Sequence, residues 1–392
     1  MKGVVLFFVG LLCISFSSFQ KPPSIKFRKQ MIASESAESV GVFDVNSDRV
    51  LDIVSGSYWY EGPVFLKRHF IGNVKRVSEY FDDFSTIPMD VNGDGKMDFV
   101  TGGWFGKTLV WKENPGNEQE WPIHEIASTG NIETTRAWDV NGDGFDDLVP
   151  NTPNNPLAYY TLTRDKNSKP TGQFSNVQVL EKHGHGLGFG DLNGDGRGDF
   201  IVSDGWAEAP SQSSPPSGLP SGSHGVGGLW KFHPDFNLGT ASIPIIVTDV
   251  NQDGVNDFIV GQGHSYGLDW YEQKREGTSI KFIKHPIDPF QSQYHTMAWV
   301  DIDNDGKMEL ITGKRYRAHN GNDPGDNDPP GLYYFKWNGE SFTKGIISYG
   351  PLGVGKGTGL FFSVADLTNS GKMDIIVAGK DGLYVFFNET VF

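Results

Sequence analysis

Asp191-Leu-Asn-Gly-Asp-Gly-Arg-Gly-Asp199 is the stretch that decides the fold. Oxygen-bearing side chains stand at its first, third, fifth and ninth positions: Asp191, Asn193, Asp195 and Asp199. Several oxygens on a tight, glycine-containing turn are what a hard cation such as Ca²⁺ requires. The nine-residue pattern also begins at Asp44, Asp90, Asp139, Asp249, Asp301 and Asp366, with spacings along the chain of 46, 49, 52, 58, 52 and 65 residues. A turn motif recurring about every 50 residues predicts a propeller or a similar array.

The flanks of each copy agree. A short apolar run precedes it, such as Met297-Ala-Trp-Val300, and an apolar run ending in glycine follows, such as Asp98-Phe-Val-Thr-Gly102 or Asp257-Phe-Ile-Val-Gly261. Runs of this length, rich in Val, Ile and Phe and bounded by glycine, read as strands. An EF-hand would need flanking helices and a Glu at position 12. Position 12 is Thr101 or Val202, and no helical period surrounds it. The expected fold is all-β: a seven-bladed propeller of four-stranded antiparallel blades. Its expected Ca²⁺ ligands lie in the loops between the first two strands of each blade.

Those loops differ in quality. The second (Asp90, Asn92, Asp94, Asp98), third (Asp139, Asn141, Asp143, Asp147), fourth, fifth (Asp249, Asn251, Asp253, Asp257) and sixth (Asp301, Asp303, Asp305, Glu309) are complete. The first has Arg49 where glycine is usual, and the seventh has Thr368 and Ser370 in place of acids. Five filled structural sites and two weak or empty ones are expected.

The chain has 392 residues, 50 of them glycine, a hydrophobic share of 37% and a net charge of −15. That apolar content is ample for a core and argues against disorder. Much of the acidity is loop carboxylate, and the balance argues against a nucleic-acid partner. Residues 1–20 read as an export signal, with Lys2 as its charge and Val4 to Ile14 as an apolar core too short to span a bilayer. The only cysteine, Cys13, lies inside it, and the small residue a lipoprotein site needs before it is missing. Residues 21–392 are expected to form one domain, periplasmic or extracellular, held by closure of the array and by bound cations.

Residues 24–34 resemble the last strand of later units, such as Leu66-Lys-Arg-His-Phe-Ile71, whereas the final unit stops at Gly382-Leu-Tyr-Val-Phe-Phe387. The N-terminal strand is expected to supply the missing fourth strand of blade seven and so remove the open edges of the array. Two stretches break the repeat: Glu208–Gly228, rich in Pro, Ser and Gly, and the polar insertion Arg317–Gly331 in blade six. A long loop in a compact fold is more often functional or mobile than a mere connector.

Alternating strand direction puts the cation loops on one face and the entries to first strands on the other. On that other face stand His183, His185, His295 and Arg136, with Trp104, Trp206, His264, Lys314, Arg315 and His319 in the loops between second and third strands. His185 and His295 each lie six residues before their motif Asp. Blades four, five and six are neighbours, so His185, His264 and His295 are expected to converge. Three imidazoles with an open position are the protein half of a catalytic Zn²⁺ site. His69, His124, His233 and His285 fall in predicted outer strands and receive no role.

The loops resemble the FG-GAP/VCBS repeats of seven-bladed propellers across the mature chain. Tyr80-Phe-Asp-Asp-Phe-Ser-Thr-Ile-Pro88, Gly130-Asn-Ile-Glu-Thr-Thr-Arg-Ala137, Gly184-His-Gly-Leu-Gly-Phe-Gly-Asp191 and Gly313-Lys-Arg-Tyr-Arg-Ala-His-Asn-Gly321 are similar to the propeller domain of the aldos-2-ulose dehydratases. That resemblance implies a zinc ion in a cleft with a keto-sugar bound to it. It departs in one respect: those enzymes carry cupin and lectin-like domains after the propeller, and this chain ends at Phe392.

Eliminating water beside a ketone needs a polarised carbonyl, a base for the α-proton and an acid for the leaving hydroxyl. Zinc on His185, His264 and His295 would polarise. His319 or Tyr316 would be base or acid. Arg136, Arg315 and Lys314 would stabilise enediolate charge, and Trp104 and Trp206, with Tyr80 and Asp83, would hold the sugar. The sequence also admits a non-catalytic Ca²⁺-stabilised propeller that binds glycans or protein partners, and a lyase acting on uronate polymers.

Overall fold

The computed structural model describes residues 25–211, 230–277 and 279–391. The expected export signal with Cys13, and most of the Pro/Ser/Gly-rich stretch after Glu208, lie outside them. Seven four-stranded antiparallel sheets follow one another along the chain, with a two-stranded hairpin, Arg76–Val77 and Tyr80–Phe81, between the first two. Among the described residues the only helical turn is Ala318–Asn320. The protein is an all-β, seven-bladed propeller.

Blades one to six each run from first to fourth strand in sequence order. Blade one begins with Gly41–Phe43 and ends with Arg68–Phe70; blade six begins with Tyr294–Val300 and ends with Phe342–Tyr349. Second strands such as Asp98–Gly102 and Asp257–Gly261 are buried at every position, because they sit between two flanking strands and between two neighbouring blades. Fourth strands such as Ser279–Pro286 alternate between exposed and half-buried, as an outer edge with one wet face must. First strands touch across blades: Ile245 N–H donates to Leu187 O (2.7 Å) and Val40 N–H to Phe361 O (3.1 Å), so blades four and five, and blades seven and one, are adjacent. In blade seven the strand Phe27–Ala33 pairs antiparallel with Leu383–Asn388, from Phe27 opposite Asn388 to Ala33 opposite Leu383.

The ninth residue of each motif has a structural task. Asp52, Asp98, Asp147, Asp199, Asp257, Glu309 and Asp374 are all buried. In each, one carboxylate oxygen accepts the backbone N–H of the motif's second residue: Val45, Val91, Val140, Leu192, Val250, Ile302 and Leu367, at 2.8–3.3 Å. In most blades the other oxygen accepts from the third strand or the segment around it, as with Ala209 N–H to Asp199 (2.9 Å) and Gln273 N–H to Asp257 (2.8 Å). The first residue is used within the loop: Asp191 accepts the N–H groups of Gly194, Asp195 and Gly196 at 2.7–3.0 Å. The acids thus shape the turns.

Candidate functional site

The opposite face brings together residues from four blades. The segments entering the first strands of blades three, four and six deliver Glu133, His185 and His295, and the loop after the second strand of blade five delivers His264. Their donor atoms lie within 4.8 Å of one another. Gly263 makes the packing possible: a Cβ there would stand 3.1 Å from the rings of both His185 and His295.

Hydrogen bonds fix two of the imidazoles. His185 Nδ1–H donates to Ala241 O (2.8 Å), and His264 Nδ1–H donates to Asp323 Oδ2 (2.7 Å). A neutral imidazole has one N–H, so both Nε2 atoms carry lone pairs, and they face each other at 3.1 Å. Two acceptors at that distance call for a cation or a proton between them. Glu133 Oε1 lies 3.0 Å from His295 Nε2, 3.6 Å from His185 Nε2 and 4.0 Å from His264 Nε2. An ion with tetrahedral bonds of about 2.0–2.1 Å separates its ligands by roughly 3.3 Å, close to the middle of these distances. The donor set fits a zinc-like ion, and an Nδ1–H held by a carboxylate is the usual support of such a ligand. His295 differs from the other two: its Nδ1 is buried without a partner.

Charge is arranged to match. Burial pushes His295 well below the ordinary histidine range, and burial also lowers His264 against the pull of Asp323. Both are therefore neutral, the form that binds metals. Burial opposes ionisation of Glu133, yet His185 and His295 hold it well below the usual carboxylate range. Arg315 is fully buried and donates to Glu38 (2.9 and 3.3 Å) and Glu133 (3.4 Å). Those two carboxylates outweigh the desolvation of the guanidinium and keep it protonated.

A cavity of about 270 Å³ opens beside the cluster, with Tyr80, Phe84, Trp104 and Phe105 as walls and Glu133, Arg315, His319 and Asn320 completing it. Asp82 accepts from Phe105 N–H (2.9 Å) and so holds the turn that presents Trp104 and Phe105. His319 stands on the rim, stacked on His264 at 4.4 Å, with its Nδ1 2.8 Å from Asp323 Oδ1. Asp323 thus joins both imidazoles, and their hydrogen bonds outweigh its burial and bring it down to about 2. Arg317, His319 and Asn320 all have left-handed backbone (φ 54°, 47° and 58°), a strain that concentrates at functional sites. Arg317 is anchored on Glu79 (2.7 Å), which ties this loop to the hairpin carrying Tyr80.

Several residues chosen from the sequence lie elsewhere. Trp206 is buried in a third strand, stacked at 4.1 Å on His233 with its N–H on Asp235, and does not reach the cavity. Asp83 is buried behind the wall, pushed up to about 7 by desolvation. Lys314, brought down to about 8 by burial, donates to Ser292, Gln293 and Gly325 and so staples the blade-six insertion. Arg136 spans the interior to Thr296 (2.8 Å) and Ile243 O. Tyr316 is half-buried outside the cavity wall. His183 uses both nitrogens on backbone, Thr152 N–H (3.0 Å) and Asn155 O (3.1 Å), and cannot replace a ligand. Glu133, Asp323, Phe84 and Phe105 were not foreseen as site residues.

A larger cleft, about 410 Å³, lies between the first two motif loops around Trp59 and His69. Both nitrogens of His69 are already bonded there, to Glu61 (3.0 Å) and Glu118 (2.9 Å). The smaller cavity, with its uncommitted lone pairs, is the better candidate. The charged loop of blade six is different again: Lys336 Nζ lies 2.5 Å from Asp303, 2.8 Å from Asp305 and 3.0 Å from Glu309.

Residues 90–150 and 249–312 match the FG-GAP-like repeat family, covering the loops of blades two, three, five and six. A crystal structure of BBS1N in complex with ARL6DN, soaked with lead, is similar over 93% of this chain and 96% of its own, with a TM-score of 0.52 and 7% identity. That likeness is one of fold. No curated protein matches the chain. No helix among the described residues is long and apolar enough to cross a membrane.

Proposed function

For a seven-bladed propeller with FG-GAP-like repeats, we propose an exported, carbohydrate-active lyase that eliminates water from a neutral keto-sugar at a zinc site on His185, His264 and His295, with Glu133 beside its open position. When bound there, zinc would supply a Lewis acid for the sugar's carbonyl oxygen. The observation that carries this reading is the pair of Nε2 lone pairs 3.1 Å apart, both Nδ1–H groups already committed, beside an aromatic-walled cavity.

The chain's own groups fit the remaining steps. Tyr80 and Trp104 offer faces for the apolar side of a sugar ring. His319 gives its Nδ1–H to Asp323, which leaves the Nε2 lone pair at the rim to take the α-proton; the imidazolium then protonates the departing hydroxyl, which leaves as water. Arg315 places fixed positive charge beside the site where enediolate charge develops. A uronate polymer fits less well. Lys314 and Arg136 point away from the cavity, Arg317 is paired with Glu79, and Arg315 is matched by two carboxylates.

The test is metal analysis after gentle calcium removal, joined to an assay of 1,5-anhydrofructose dehydration followed by enone absorbance. One zinc per chain is expected, lost in His185→Ala and His264→Ala together with activity. His319→Ala should retain the metal and lose at least tenfold in kcat. A metal-free wild type that still binds the sugar would leave a binding module instead, and cleavage of uronate polymers to unsaturated ends without metal would leave the polymer lyase.

A further inference from the structure

The sixth loop is the most acidic of the seven, with four carboxylates at its oxygen positions, Asp301, Asp303, Asp305 and Glu309. By composition it is the loop most suited to Ca²⁺. The cross-strand partner of its ninth residue changes that reading.

Register places one residue of the third strand directly opposite the ninth position in each blade. Glu309 faces Lys336. Phe258 pairs with Tyr271 and Phe99 with Lys112, so by the same ladder Asp257 faces Glu272 and Asp98 faces Glu113. In blades two and five this facing glutamate leans on the loop's third residue: Asn92 Nδ2 donates to Glu113 (3.4 Å) and Asn251 Nδ2 to Glu272 (3.1 Å). The amide oxygen of each Asn is thereby turned inward, where it meets the N–H of Asp94 (2.9 Å) or Asp253 (3.0 Å). In blade six the same position is basic. The Lys336 ammonium sits among the third, fifth and ninth acids at 2.5, 2.8 and 3.0 Å. Three of the loop's carboxylates therefore converge on a cation that is already part of the chain.

We infer that Lys336 is a tethered cation that takes the place of Ca²⁺ in the sixth loop, so that this loop closes without a divalent ion. A tethered ammonium there runs against the expectation of a filled site. An ammonium carries one charge and three N–H donors; Lys336 gives hydrogen bonds to Asp303 and Asp305 and forms an ion pair with Glu309, and its positive charge would repel a divalent ion at the same carboxylates. The blade concerned supplies His295, Arg315 and His319, so its loop is independent of the ambient calcium that the other loops would sense.

The test is calcium stoichiometry by equilibrium dialysis on the full chain, with a terbium titration as second readout, for wild type, Asp305→Asn and Lys336→Gln. Asp305→Asn is expected to leave the wild-type count unchanged. Lys336→Gln is expected to raise it by one, and Lys336→Gln/Asp305→Asn to lose that added site. A wild-type count that falls by one in Asp305→Asn would overturn the inference. So would a folded Lys336→Gln protein, checked by circular dichroism, whose count does not rise. A wild type with no bound calcium still leaves the gain in Lys336→Gln to decide.

Discussion

Removing the Asp323 carboxylate should weaken zinc binding without touching a ligand atom. Asp323 accepts the Nδ1–H of His264 at 2.7 Å, holding that ring so that Nε2 faces His185 and Glu133. A hydrogen bond to a charged group contributes about 1.5–3 kcal/mol, which is roughly 10- to 150-fold in an equilibrium constant at about 1.4 kcal/mol per decade. A neutral acceptor is about half as strong. Asp323→Asn should therefore cost about tenfold in zinc affinity and Asp323→Ala closer to a hundredfold. His319→Ala removes the other partner of Asp323 but no ligand, and should stay within about threefold. Competition against a chromophoric chelator reads these values, and the melting temperature shows whether the blade-six insertion has kept its fold. If both Asp323 variants hold zinc within twofold of wild type, Asp323 does not orient His264 for a metal, and the tautomer argument for the site fails with it.

Deleting residues 21–35 removes the strand that pairs with Leu383–Asn388 through six residue pairs; at about 0.5–1.5 kcal/mol per hydrogen bond this is roughly 3–9 kcal/mol, comparable to a whole domain's stability. Circular dichroism should show loss of cooperative melting, and an unchanged transition would refute closure of the ring by this strand. Burial pushes Asp52, Asp98, Asp147, Asp199 and Asp257 up to about 6 in the metal-free protein. Folding then favours their protonated form, so this contribution is complete below about 4, the unfolded value, and is lost as pH rises through about 6. Chelator-treated protein should lose stability across pH 4–6 in urea titrations, and calcium should flatten or reverse that slope; a metal-free protein that gains stability over the same interval would contradict it.

How far the site was legible follows from one position of the repeat. Six residues before the motif aspartate stand Glu38, Phe84, Glu133, His185, Ile243, His295 and Leu360. In the structure these form the ring around the site. Glu133, His185 and His295 carry the donor set, Phe84 walls the cavity, Glu38 holds Arg315, Ile243 O receives Arg136, and Leu360 packs on Tyr80 and Phe84. In the sequence only the two histidines stand out at this position, because an imidazole is an uncommon potential ligand whereas a glutamate in an acidic chain is not distinctive. The same count in blade three falls on Glu133. Asp83 and Phe84 show the cost of missing the register by one, since successive strand-like residues face opposite ways: the ring reached the cavity and the acid went behind the wall.

Trp206, expected in a loop, lies in a third strand, and its stack on His233 repeats in three other blades, Trp59 on His69, Trp111 on His124 and Trp270 on His285. In all four a glutamate two residues after the Trp bonds the His, at 2.7–3.0 Å. That recurrence marks an outer-strand packing unit, one that serves the ring of blades and not its centre. Asp323 lies at the other extreme. It belongs to an insertion that no repeat predicts, so neither period nor motif could assign it, and its role follows from the fold of Arg317–Gly331 back over His264. Lys336 falls between the two. Its residue type is plain in the sequence, but its meaning depends on which residue it faces, and that is set by strand pairing. The repeat therefore identifies residues that every blade places alike, whereas the groups that distinguish one blade from the next, an oriented imidazole in blade five and an internal ammonium in blade six, are fixed by contacts between strands and loops far apart in the chain.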